Sequence, residues 1–210
     1  MSKYERVASL KETTMKIVAR RTMVGLSMRM VSDESGVNQS MIYRDFKTKD
    51  NLLRVCYKEV YEDFFGFFKE KMHNTDHKEL SEVITESFWD EYIDILIQHD
   101  FRTLYYCEYR EWYKSRLHMN GMDAGIDNYS LGWIMSERVR EKDAGYDPDG
   151  QYPKTYHVDK KECYAIDHLI ETATTYAKRV LRKEMEDTEE NRAILWDLLC
   201  RGLDELQISE

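Results

Sequence analysis

Residues 27–53 read SMRMVSDESGVNQSMIYRDFKTKDNLL, and this stretch decides the fold. It predicts two short helices, about 28–35 and 39–46, with a tight turn between them. Ser27 is placed to cap the first helix, and Gly36 lies just past its end, where a left-handed backbone is easiest for glycine. Asn38 can cap the second helix.

The spacing within the stretch is that of a helix-turn-helix. Val31 and Val37 are expected to point inward and hold the two helices together, while Ile42 anchors the second helix from beneath. The polar side chains of that helix then face outward, on a surface sized for a major groove. The residues predicted to contact DNA are Ser27, Arg29, Asn38, Gln39, Ser40, Tyr43, Arg44, Lys47 and Lys49.

Within this predicted face, Lys49 is the most informative residue. A lysine in the first turn of a helix opposes the helix dipole, a cost of a few tenths of a kcal/mol that a bound phosphate would offset. We expect Lys49, Tyr43 and Ser27 to contact phosphates. Gln39 and Ser40 are expected to read base edges, and Arg44 can do either. The alternative is that Lys49 is simply solvated and Tyr43 packs on the helix pair.

The same stretch resembles the DNA-binding signature of the TetR (tetracycline-repressor-like) family. The resemblance covers about fifty N-terminal residues and is carried by Ser27, Gly36-Val37-Asn38, Tyr43, Phe46, Lys49, Leu52 and Leu53. It implies an all-α fold, with an N-terminal three-helix helix-turn-helix domain and a larger C-terminal helical domain for ligand sensing and dimerisation. Four positions, Thr14, Thr22, Ser32 and Met41, depart from residues common in that family, which leaves the operator sequence open.

The charge distribution along the chain agrees with a DNA-binding head on an acidic body. The net charge is −9 over 210 residues, yet residues 1–58 hold 12 Lys and Arg against 6 Asp and Glu. Residues 59–210 hold 19 Lys and Arg against 34 Asp and Glu. A solvated basic face would give the same asymmetry.

Apolar periodicity predicts about nine helices. In the first, 3–21, the basic residues Lys3, Arg6, Lys11, Lys16 and Arg20 are expected to face outward. Further helices are predicted at 49–72, 78–98, 101–117 and 128–143, with a loop from Met119. Two more helices, each with an apolar stripe along one face, are predicted at the end of the chain. We assign 1–48 to the helix-turn-helix domain and 49–210 to the ligand-binding and dimerisation domain.

A homodimer is expected because one such head makes few contacts, and specific binding usually pairs two heads on half-sites about 34 Å apart. The last two helices are the natural interface, as a four-helix bundle of two subunits. The alternative is that their apolar stripes face the chain's own core. The predicted interface residues are Ile166, Ile170, Ala173, Ala177, Val180, Leu195, Leu198, Leu199 and Leu206.

The middle of the chain is rich in aromatic residues, and the family resemblance implies a small-molecule cavity there. The predicted ligand-binding residues are Phe64, Phe68, Trp89, Tyr92, Tyr105, Tyr109 and Trp112. Plain core packing is the alternative. A ligand that favours one shape of the body would swing the fourth helix and change the spacing of the two recognition helices. Gly66 is a weak point in that helix, unless it serves close packing.

Other classes of function find less support in the residues. His73 and His77 form an HxxxH pair without a catalytic glutamate, and Asp147–Gly150 lacks the later ligands of a calcium loop. We therefore predict no enzyme, no metal and no cofactor. No segment suggests a membrane span or signal peptide, so a cytoplasmic location is the default. The remaining alternative is a DNA-binding protein of this fold that senses no ligand and is architectural or controlled by a protein partner.

Overall fold

The computed structural model describes residues 2–73, 84–120 and 160–207, which form eight helices and no strand. The all-α fold is confirmed. The helix predicted at 128–143 lies outside the described residues, as do His77 and Asp147–Gly150. The helices are α1 (Lys3–Arg21), α2 (Met28–Ser35), α3 (Gln39–Phe46), α4 (Lys49–His73), α5 (Glu86–Gln98), α6 (Asp100–Asn120), α7 (Lys160–Leu181) and α8 (Glu189–Gln207).

Helices α1 to α3 form the N-terminal head, and their ends are set by local sequence. Ser2 and Glu5 make a reciprocal capping box at the start of α1. Val31, Val37 and Ile42 are all buried, as predicted, so the apolar side chains of the short helices meet beneath the turn.

Two of the predicted helix boundaries are wrong. α5 begins at Glu86 and not at Lys78, because the Thr85 hydroxyl accepts a 3.2 Å bond from the Phe88 amide and so caps the helix there. α6 continues through Met119 to Asn120, where a loop was expected. The boundaries of α1, α2 and α3 agree with prediction.

The head is packed directly on the body. α1 lies along α6, and α4 contacts both of them. The carboxylate of Glu59 on α4 bonds Lys11 of α1 and, at 3.2 Å from Oε1 to Nη2, Arg102 of α6. Lys11 is therefore only partly exposed, although its sequence position predicts an outward side chain.

The last two helices complete the body. α7 packs on α5, α6 and α8. Arg192 of α8 bonds Asp94 of α5 at 2.7 Å and Asp187 at 2.7 Å, which fixes the start of α8 against α5. The hydroxyl of Tyr176 donates to the same Asp187 carboxylate, and burial together with that bond raises the pKa of Tyr176 to about 12.

Candidate nucleic-acid interface

The second helix of the helix-turn-helix, α3, has two distinct faces. Ile42 and Phe46, one turn apart, are buried at 0% and 4% exposure. Tyr43 is 45% exposed, and Ser40 and Arg44 also face outward. Because the buried pair anchors one side of the helix, the opposite side is a rigid polar surface.

The turn before α3 has the geometry that the sequence predicts. Gly36 adopts the left-handed conformation, with φ of 69° and ψ of 8°. The Asn38 side-chain oxygen then accepts bonds from the Ser40 amide at 2.9 Å and the Ser40 hydroxyl at 3.0 Å. Asn38 thus caps α3, and both side chains stay exposed at its tip.

The C-terminal end of α3 is also fixed. Lys47 has a φ of 66°, its amide donates to the carbonyl of Tyr43 at 2.9 Å, and its side chain is exposed. The Asn51 amide group on α4 donates to the carbonyl of Phe46 at 2.8 Å. A helix of two turns is therefore held at both ends.

The predicted contacts on α2 are placed at its N-terminus. Ser27 is exposed and caps the helix by accepting a 3.2 Å bond from the Met30 amide. Arg29 is exposed and lies 3.7 Å from Asp33, one turn further along. Both side chains are exposed at this end of α2, which is the end away from the turn.

Lys49 and Gln39 are placed differently from the simplest expectation. The Lys49 ammonium donates a 2.5 Å bond to the carbonyl of Leu26, so it closes the connection between α1 and α2. Gln39 is half-buried. The structure thus gives Lys49 a role within the protein that offsets its position at a helix N-terminus.

Sequence analysis missed one feature of the head. Arg6, predicted to face outward, is 7% exposed because its guanidinium pairs with Asp45 of α3 through two bonds, 2.9 Å from Nε and 3.3 Å from Nη2. The hydrogen bond from Arg6 lowers the pKa of Asp45 below its ordinary value. Nothing in the local pattern signals this pair, since 39 residues separate its members.

The predicted ligand-binding residues that the structure describes lie within or against the aromatic core. Phe64, Trp89, Tyr92, Tyr105 and Tyr109 are buried, and Trp112 is half-buried. The side chain of Phe68 lies outside the described part. Tyr105, Tyr109 and Trp112 belong to a cluster on α6, whereas Tyr92 stacks with Phe67 and Trp89 contacts Trp196 of α8. Their rings pack on other rings of the core.

A groove of about 180 Å³ lies elsewhere, between α6 and α7. It has cationic and anionic walls, with Arg110 paired to Glu171 at 3.3 Å and Lys178 paired to Glu111 at 2.5 Å. None of the seven predicted ligand residues lines it. The full lining is Tyr106, Cys107, Arg110, Glu111, Glu171, Thr174, Thr175 and Lys178.

The predicted dimer-interface residues differ in their burial within a single chain. Ile170, Ala173 and Ala177 are buried at 2%, 0% and 0% in a single chain, because α5 and α6 cover this face of α7. Leu199 is buried too. The side chains of Ile166 and Leu206 lie outside the described part. Val180 and Leu195 are half-buried, and Leu198 is 56% exposed, with the unpredicted Ile194 one turn before it at 52%.

Comparisons with known proteins agree with this geometry. Residues 10–56 match the family model described as bacterial regulatory proteins, tetR family. No curated protein matches the chain. The head is thus a helix-turn-helix of the TetR family, as its sequence motif indicates.

Solved structures extend the likeness to the whole fold. A TetR family transcription regulator from Marinobacter aquaeolei VT8 has 14% identity and a TM-score of 0.61, over 93% of this chain and 94% of that one. A TetR-like transcriptional regulator from Rhodococcus sp. RHA1 has 14% identity and a TM-score of 0.59, over 97% and 98%. A transcription regulator from Lactobacillus plantarum has 12% identity and a TM-score of 0.56, over 91% of this chain and 97% of that one. The chain therefore has the fold of TetR-family transcription regulators.

None of the helices in the described ranges combines the length and apolar character that crossing a bilayer requires.

Proposed function

We propose that this protein is a DNA-binding transcriptional regulator that acts as a repressor and loses operator affinity when a small molecule binds its body. The observation that carries the proposal is the two-faced recognition helix: α3 is anchored by Ile42 and Phe46, and its polar side is exposed. An eight-residue helix with this division suits the major groove of double-stranded DNA.

The proposed DNA contacts divide into two groups. The first group is proposed to bind phosphates, which sets the register on the duplex; it consists of Tyr43 on α3, Lys47 and Lys49 just after α3, and Ser27 and Arg29 at the start of α2. Asn38, Gln39, Ser40 and Arg44 lie on α3 or at its tip and are proposed to reach base edges. Such a regulator would act in the cytoplasm and needs no catalytic group.

Selection of bound sequences from random double-stranded DNA tests this function. The unmodified protein is expected to enrich one motif. Lys49→Ala should weaken binding to all sequences and reduce the salt dependence by about one phosphate contact. Gln39→Ala should relax preference at one position. If no motif is enriched by the unmodified protein, the proposal is wrong.

We also propose that the protein binds DNA as a homodimer. The exposed apolar residues Ile194 and Leu198 of α8 support this, because they lie one turn apart on one of the two helices predicted to form the interface. A second copy would cover them and would set two recognition helices on neighbouring half-sites.

The effector is proposed to act through α6. This helix lines the groove beside α7 and also packs on α1 of the head, so a change at the groove has a short path to α3. The groove's paired charges suit a small polar or zwitterionic molecule better than an apolar one. A ligand that prefers one position of α6 would shift the population of head orientations.

A regulator of the same fold without a small-molecule effector is a second candidate. The observation in its favour is that the predicted aromatic residues pack against one another in the core. A thermal-shift screen with metabolites and operator DNA separates the two. Stabilisation by some small molecule supports the sensor, whereas stabilisation by DNA alone supports the second candidate.

A further inference from the structure

The buried pair of Arg6 and Asp45 lies directly behind the proposed DNA-binding face. Asp45 is on α3, yet its side chain is only 5% exposed. Arg6 donates a hydrogen bond to each of its two carboxylate oxygens. α3 otherwise packs on α2 and α4, so this pair ties the recognition helix to α1. A carboxylate that is held in this way has a fixed position on the protein.

Asp45 also faces a second arginine. Its Oδ1 atom lies 3.8 Å from Nε of Arg44, whose side chain is 61% exposed on the outer face. A guanidinium has two edges that can make paired hydrogen bonds. Because Nε is the Arg44 atom that approaches Asp45 and the side chain is mostly exposed, the edge formed by the two terminal nitrogens remains available to a ligand.

We propose that Asp45, held by Arg6, positions Arg44 to read a guanine in the operator. The inference rests on the proposed function and specifies one of its contacts. The outward edge of Arg44 would donate to O6 and N7 of guanine, which only this base offers as a pair of acceptors in the major groove. Asp45 is a positioning residue and touches no base.

The chemistry of the three side chains favours base reading over phosphate binding. A free arginine on a helix samples many rotamers and suits a phosphate, which accepts from several directions. A neighbouring fixed carboxylate restricts those rotamers, so less freedom is lost when the guanidinium meets a base edge. The hydrogen bond from Arg6 lowers the pKa of Asp45, which agrees with a carboxylate held in its charged form.

The test compares motifs that variants of the full-length protein select from random duplex DNA. The unmodified protein should select guanine at a defined position of each half-site. Arg44→Ala and Asp45→Asn should both lose that preference by roughly tenfold, while preferences at the other positions persist. Arg44→Lys should weaken it, because an ammonium is a point charge without the planar fork that Asp45 would orient.

Asp45→Asn removes a partner of a buried charge, so a second variant separates positioning from stability. The double change Arg6→Met with Asp45→Leu fills the same space with apolar atoms, which can preserve stability when a buried ion pair is replaced. We expect it to melt near the unmodified protein and still to lack the guanine preference. Arg20→Ala and Glu34→Gln are matched controls, since Arg20 is also 61% exposed and pairs with Glu34 away from α3.

Two results would overturn the inference alone, and a third would overturn the proposed function on which it rests. Asp45→Asn and the double variant could both keep the guanine preference, in which case Asp45 does not position Arg44. Arg44→Ala could weaken binding to all sequences equally and reduce the salt dependence of the affinity. That result would assign Arg44 to a phosphate contact. An unmodified protein that enriches no motif would instead refute the proposed function itself, before any variant is compared.

Discussion

Tyr105 of α6 donates a 2.6 Å hydrogen bond from its hydroxyl to the main-chain carbonyl of Leu53 on α4, and both side chains are fully buried. The bond lies a few residues from the start of α4, close to the head. It is accompanied by a 3.8 Å contact from the Cys56 thiol to the carbonyl of Lys11 on α1. Polar contacts therefore join α1, α4 and α6 inside the core.

Tyr105→Phe removes the hydrogen bond and leaves the Leu53 carbonyl with its helical partner alone. We expect the free energy of unfolding to fall by about 1 kcal/mol, the usual net value of one such bond. Urea unfolding followed by circular dichroism measures it. Tyr4→Phe is the matched control, because Tyr4 is 85% exposed and should show no change. Equal unfolding free energies for the two variants would contradict a stabilising hydrogen bond from Tyr105.

Alkaline pH should destabilise the protein through the same residue. Burial raises the pKa of Tyr105, and also that of Tyr92, well above the ordinary value of 10.0. The unfolded chain therefore loses these protons first as the pH passes about 10, so stability is complete below that pH and falls above it. Tyr105→Phe should show a shallower fall in unfolding free energy than the unmodified protein. An unchanged slope would argue against burial of this hydroxyl.

Glu59→Gln tests the ionic link between head and body. Glu59 bonds both Lys11 of α1 and Arg102 of α6, and all three side chains are 21–28% exposed. Since they are partly solvated, we expect a loss of about 1 kcal/mol, and faster hydrogen exchange in α1 and α6. Glu62→Gln is the control, because its pair with Lys58 is exposed and lies within one helix. If protection from hydrogen exchange in α1 and α6 changed equally in both variants, Glu59 would not link the two helices specifically.

Leu198→Glu tests the proposed dimer interface on α8. The residue is 56% exposed, so a charge there is harmless to the isolated chain but would be buried between two subunits. We expect sedimentation analysis to show a dimer for the unmodified protein and a monomer for the variant, with unchanged helix content. Val24→Glu is the control, at an apolar residue of the head that is 86% exposed. A dimeric Leu198→Glu protein would place the interface elsewhere.

The sequence predicts the head well because its determinants are local. Caps at Ser27 and Asn38, the left-handed Gly36 and the apolar spacing of Val31 to Ile42 all act within a few residues. Those signals do not depend on what the rest of the chain does. The match at residues 10–56 covers the same region.

Prediction fails where the partner is distant in the chain. An apolar stripe on α7 shows which face is buried but not what covers it. Ala173 and Ala177 are predicted at a dimer interface, and both are fully buried within the single chain, where α7 packs on α5 and α6. The position of Arg6 in the α1 pattern predicts an outward side chain, yet the side chain is buried in an ion pair with Asp45. The aromatic residues illustrate the same limit, because composition does not distinguish a cavity wall from a packed ring.

Gly66→Ala tests whether α4 has a weak point at this glycine. Gly66 is exposed, and a Cβ atom added there would meet nothing within 4 Å, so close packing does not explain the glycine. Alanine restricts the unfolded chain and favours the helix, so the variant should gain about 0.5–1 kcal/mol of unfolding free energy. Gly36→Ala should do the opposite, because its φ of +69° strains any side chain. If Gly66→Ala also lost stability, a bend at this position would be part of the native α4, and the helix could not act as a uniformly rigid connection between head and body.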